Sequence, residues 1–75
     1  MKNEIAKLIY TSLEKKYQSQ VDEMKATLMI YFENPVGIGE HPQHLEEMDK
    51  ILEKLSAAED KLENLKKFAN YSINI

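Results

Sequence analysis

From Asn3 onward, apolar residues recur at Ile5, Ile9, Leu13, Tyr17, Val21, Met24, Leu28 and Tyr31, in steps of four and then three. That spacing places them on one face of an α-helix. Asn3 is suited to an N-cap, and neither glycine nor proline interrupts the run to Phe32. About thirty residues therefore form one helix of about 45 Å. Because the early steps are fours, the stripe drifts around the helix instead of holding a strict heptad seam, and Leu8 and Tyr10 widen it near the start. The wider end is expected to meet more than one neighbour. Three polar residues, Gln18, Ser19 and Gln20, offer the alternative of a break and three helices. The phase held from Leu13 through Tyr17 to Val21 favours a continuous helix.

A second run places Met48, Ile51, Leu55, Ala58, Leu62, Leu65 and Ala69 in a regular alternation of three and four that continues back to His44. This is a heptad seam. Leu45, Leu52 and Phe68 broaden it, as a bundle helix requires, and the small Ala57 and Ala58 permit close approach of a neighbour. Between the runs lies N-P-V-G-I-G-E-H-P-Q-H, from Asn34 to His44, which holds both prolines, both glycines and both histidines of the chain. Asn34-Pro35 stops the first helix, Gly37 and Gly39 allow the chain to turn, and His41-Pro42 opens the second. The pattern predicts an all-α fold, an antiparallel two-helix hairpin of coiled-coil type in a single domain over 1–75. Its parts are a helix at 3–33, a loop at 34–41, a helix at 42–69 and a short tail at 70–75. In that tail Tyr71, Ile73 and Ile75 alternate with polar residues, which suits a loose end or a segment docked on another subunit.

The stretch from Ala26 to Phe32 is apolar around most of the helix. Leu28 and Tyr31 are expected to face the hairpin partner, and Met29, Ile30 and Phe32 the loop or a second subunit. Two helices side by side cover one stripe of each other, too little to stabilise a chain of 75 residues comfortably. The expectation is a homo-dimer or higher oligomer, two hairpins forming a four-helix bundle. Its core would draw on Ile5, Leu8, Ile9, Leu13, Val21, Met24, Leu28, Tyr31, Met48, Ile51, Leu55, Leu62 and Leu65.

Charge narrows the partners. A net charge of -3 gives no electrostatic reason for nonspecific nucleic-acid binding. The second helix begins acidic at Glu46, Glu47 and Asp49 and ends basic at Lys66 and Lys67, matching the helix dipole, and the pairs Glu46/Lys50 and Glu63/Lys67 sit four apart in the favourable order. With no cysteine, disulfides and thiolate metal sites are excluded. M-K-N-E-I-A-K-L-I-Y carries Glu4 and Lys7 among its apolar residues, so neither a signal peptide nor a membrane span is expected and a cytoplasmic location is.

Chemistry is confined to the turn. Two glycines before a helix start suggest a cradle for an anion, which makes Gly37, Gly39, His41 and His44 the candidate ligand-binding residues. Against it, no strand precedes the loop, a third glycine is missing and Glu40 repels phosphate. Glu40, His41, His44 and Glu47 have metal-ligand chemistry, but the favoured reading has His41 capping the helix and His44 closing the core seam, with no metal and no cofactor. Ser12, Ser19, Ser56 and Ser72 lie far in sequence from both histidines, and a thin hairpin offers no deep pocket, so no enzyme is expected. Tyr10, Tyr17, Tyr31 and Tyr71 read as half-buried core and not as base-stacking platforms.

The run N-P-V-G-I-G-E-H-P-Q-H-L-E-E-M-D-K, followed by A-E-D-K-L-E-N-L-K-K, resembles short uncharacterised proteins of tailed phages, especially contractile-tailed phages of marine cyanobacteria. The likeness extends from about Ile5 to Phe68. It implies a setting in the host cytoplasm or the virion, and it carries over neither an activity nor functional residues. The function expected is a non-enzymatic, homo-oligomeric helical adaptor for an unidentified protein partner. The alternative is a binder of a nucleotide or anion at the glycine loop or a subunit junction.

Overall fold

The computed structural model describes residues 2–33 and 43–70. Two α-helices, α1 (Lys2–Glu33) and α2 (Gln43–Phe68), pack against each other along their lengths as an antiparallel hairpin, and a π-helical turn follows α2 at residues 69–70. The molecule is a rod of 56 × 15 × 13 Å. Because α1 begins at Lys2, Asn3 lies inside the first turn instead of capping it; helix ends shift by a residue or two without changing the packing. The expected turn, including Asn34, Pro35, Gly37, Gly39, Glu40, His41 and Pro42, and the alternating tail at Tyr71, Ile73 and Ile75 lie outside the described residues.

α1 passes through Gln18, Ser19 and Gln20 without a break. A local reason is visible. Gln18 Nε2 donates to Asp22 Oδ1 at 3.0 Å, an i,i+4 bond that ties one turn to the next across Ser19. One turn further on, Thr27 Oγ1 donates to the Glu23 carbonyl oxygen at 2.9 Å, the back-bond that lets a β-branched polar residue sit inside a helix.

The seam between the helices is set by sevens. On α1 the half-buried residues Tyr10, Tyr17, Met24 and Tyr31 recur every seventh position, with Val21 and Leu28 buried beside them. On α2 the inward row is His44, Ile51, Ala58 and Leu65, flanked by Met48, Leu55, Leu62 and Ala69. Ala58 and Ala69 are buried and the larger members half-buried. Small alanines on the inward side of α2 permit close approach of the two axes.

At its N-terminal end the α1 stripe drifts off the seam, as its steps of four imply. Ile5 and Ile9 do not join the seam; they are 62% and 56% exposed, and Ala6 and Tyr10 take the inward places. The cause is the four-residue spacing. Each step of four advances about 40° beyond a full turn, so the row Leu13, Ile9, Ile5 walks away from α2 as it nears the N-terminus.

The ends of the two helices are unequal. α2 carries Glu46 in its first turn and Lys66 and Lys67 in its last, and Lys67 Nζ meets Glu63 Oε1 at 3.1 Å on an exposed face. Glu46 and Lys50, the other expected pair, form no ion pair among the described residues. α1 has Glu4 in its first turn and no basic residue in its last. Its C-terminal turn therefore depends on packing of Leu28 and Tyr31 more than on the dipole. Leu28→Ala should cost about 2 kcal/mol or more, a large share of a small protein's stability, whereas Lys25→Ala on the exposed side should stay within about 0.5 kcal/mol. Urea unfolding followed by circular dichroism compares them.

Candidate interaction surface and clefts

Three kinds of feature accompany the seam: aromatic contacts made by its residues, two clefts along one side, and the apolar residues left facing solvent. At the turn end, Tyr31 and His44 meet edge to face, with ring centroids 5.9 Å apart and planes at 77°. The heptad placement of both residues produces this pair, so His44 closes the seam as an aromatic. It is half-buried at the start of α2. Of the four candidate ligand residues it is the one described; Gly37, Gly39 and His41 lie outside. Among the described residues no group of three or more histidines, cysteines, aspartates or glutamates is placed to hold a metal ion.

Lys61 on α2 reaches across to α1, its Nζ 5.7 Å from the centre of the Tyr17 ring. An exposed cation–π contact of this kind contributes about 0.5–1 kcal/mol. Lys61 also separates two open clefts. One, of about 300 Å³, has Met24 and Ala58 at its floor, Ala57 beside them, and Gln20, Glu23, Lys54 and Lys61 around the rim. The other, of about 330 Å³, is lined by Leu13, Tyr17, Lys61, Asn64, Leu65 and Phe68. Each is a trough between two helices, apolar below and charged or polar above. Such a trough accepts a side chain or a small planar group; it does not wall a reacting centre off from water.

Further along α1, half-buried Tyr10 donates from its hydroxyl to Glu14 Oε2 at 3.4 Å. Burial, then the negative charge of Glu14 and the hydrogen bond to it, raise the phenol above its ordinary value of 10.0. Ionisation would place an anion beside a carboxylate. Since the folded-state value is the higher one, whatever stability this contact contributes is complete below the ordinary value and is lost as pH rises through the folded one.

The expected core positions fall into three groups. Val21 and Leu28 are buried; Leu13, Met24, Tyr31, Met48, Ile51, Leu55, Leu62 and Leu65 are half-buried; Ile5, Leu8 and Ile9 are exposed. Near the turn end Met29, Ile30 and Phe32 point outward while Leu28 and Tyr31 face α2, and Leu45, Leu52 and Phe68 are likewise exposed on α2. Large apolar side chains thus crowd both ends of the rod. Among the described residues, no helix is long and apolar enough to cross a membrane.

Comparison with known protein families, with curated proteins and with solved structures finds no match. The chemistry of the surface therefore carries the functional argument. For the Tyr10 contact, Glu14→Gln removes the charge but not the burial. The tyrosinate absorbance titration of that variant should show one phenol moved down towards, but still above, 10.0. An unchanged titration would mean that Glu14 does not act on Tyr10.

Proposed function

We propose that this chain is a non-enzymatic helical interaction module that works as a homo-oligomer, two hairpins joining into a four-helix assembly that presents a surface to a protein partner. The observation that carries this reading is the exposure of Ile5, Leu8, Ile9, Met29 and Ile30 on α1, with Phe32, Leu45, Leu52 and Phe68 beside the seam. Exposed apolar residues scattered singly are ordinary on a protein surface. Here they are grouped at both ends of a thin rod, where covering them would recover stability that one interhelical seam does not provide. The resemblance of the chain to short phage proteins supports a partner drawn from the phage or its host.

A second reading has a smaller basis. The clefts flanking Lys61 bring Lys54, Lys61 and the Tyr17 ring to an apolar floor, an arrangement suited to a small aromatic anion such as a nucleotide. Thermal melting separates the two readings. A homo-oligomer melts at a temperature that rises with protein concentration, because association stabilises the folded state by mass action. A ligand binder shows a midpoint independent of protein concentration that rises with added nucleotide, ligand at 100 times its Kd adding about 2.7 kcal/mol. The expected result is concentration dependence without a nucleotide shift. The opposite pair of results would replace the adaptor reading with the ligand-binding one.

A further inference from the structure

The face of α1 turned away from α2 has a pattern of its own. Along its centre run the exposed small residues Ser12, Ser19 and Ala26, seven apart. One flank carries Leu8, Lys15, Asp22 and Met29, again seven apart, and the other Ile9, Lys16, Glu23 and Ile30. All eight are exposed. On both flanks the apolar residues stand at the two ends, the lysines lie before Ser19 and the acids after it. Reversing the helix about Ser19 therefore sets apolar against apolar and cation against anion.

We infer that this face is the contact between two copies of the chain, α1 packing antiparallel on α1 of the second copy across a two-fold axis at Ser19. The inference rests on the homo-oligomer reading above and specifies its geometry. In an antiparallel two-fold pair, each flank meets the same flank of the other copy. Leu8 then meets Met29 and Lys15 meets Asp22 on one side; Ile9 meets Ile30 and Lys16 meets Glu23 on the other. Ser12 faces Ala26, and Ser19 faces its own counterpart. The small central residues let the two helices approach closely, and the flanking charges set the direction, since a parallel pair in register would place lysine on lysine and acid on acid.

The outward face of α2 lacks these properties. It presents Glu46, Asp49, Glu53, Asp60 and Glu63 with Lys50 and Lys67 among them, all exposed, and no large apolar residue, so a second copy of that face would bring an acidic surplus and no apolar contact. α1 thus occupies the middle of the assembly and α2 its two outer sides, in water.

The chain contains no cysteine, which makes a direct test simple. Ser19→Cys places a thiol on the axis, where mild oxidation should join two chains through a disulfide, while Ser56→Cys on the outward side of α2 should stay unlinked. Charge supplies the second arm. The double variant Lys15→Glu with Lys16→Glu should dimerise about tenfold or more weakly, its helix content falling on dilution at a correspondingly higher concentration than that of the unaltered chain, and so should Asp22→Lys with Glu23→Lys. Mixing the two should restore a mixed dimer, because every flank charge again faces its opposite. A dimer in which Ser19→Cys does not link, or in which mixing restores nothing, overturns this interface and leaves the homo-oligomer reading standing. A folded chain that stays monomeric overturns both.

Discussion

Two helices touching along a single strip is the constraint on which the rest of this molecule depends. Each helix turns one stripe of side chains inward, and an antiparallel pair keeps those stripes in register only if the inward positions return every seven residues. Tyr10, Tyr17, Met24 and Tyr31 do so on one side, and His44, Ile51, Ala58 and Leu65 on the other. The pairs that mark the register, Tyr31 with His44 and Tyr17 with Lys61, join residues progressively farther along α2 as one moves back along α1. Among the described residues, full burial is reached at Val21, Leu28, Ala58 and Ala69. Two of these are alanines, so the strip favours close approach over bulk.

A strip this narrow leaves α1 with more apolar surface than α2 can cover. The two helices are unlike in this respect. α2 is amphipathic in the ordinary way, apolar towards α1 and acidic outward, with charges that suit its dipole. α1 is apolar on the seam and apolar again at both ends of its opposite face, with lysines and acids in separate blocks between. That second pattern contributes nothing to the hairpin. In the association we propose, the apolar ends would supply the driving force and the separated charges the direction. The clefts beside Lys61 belong to the hairpin, and one of them is shaped by Ala57 and Ala58, whose small side chains leave a trough where larger ones would fill it.

Much of the fold was legible in the residues, because a helix in a thin hairpin has few ways to hide its period. The regular alternation of three and four from His44 to Ala69 reads as a seam, and the structure turns those positions inward. The inward placement of Leu28 and Tyr31 and the outward placement of Met29, Ile30 and Phe32 were equally readable. Less readable was the N-terminal third of α1. Ile5 and Ile9 fit the apolar stripe by residue type, while Ala6 and Tyr10 fit the seam by angle, and angle prevails once α2 fixes the axis. The charge pattern around Ser19 becomes visible only when the register is known. The contacts of Lys61 with Tyr17 and of Tyr10 with Glu14 likewise depend on rotamers and on which α2 residue lies opposite, which no periodicity specifies.

We propose that one hairpin seam is insufficient and that a second copy completes the structure. Sedimentation equilibrium at micromolar concentration measures this directly. The account predicts a species of twice the 8.7 kDa chain mass, dissociating on dilution with a parallel loss of helix content. A fully helical species of 8.7 kDa that holds its mass and its helicity over the whole concentration range would contradict it.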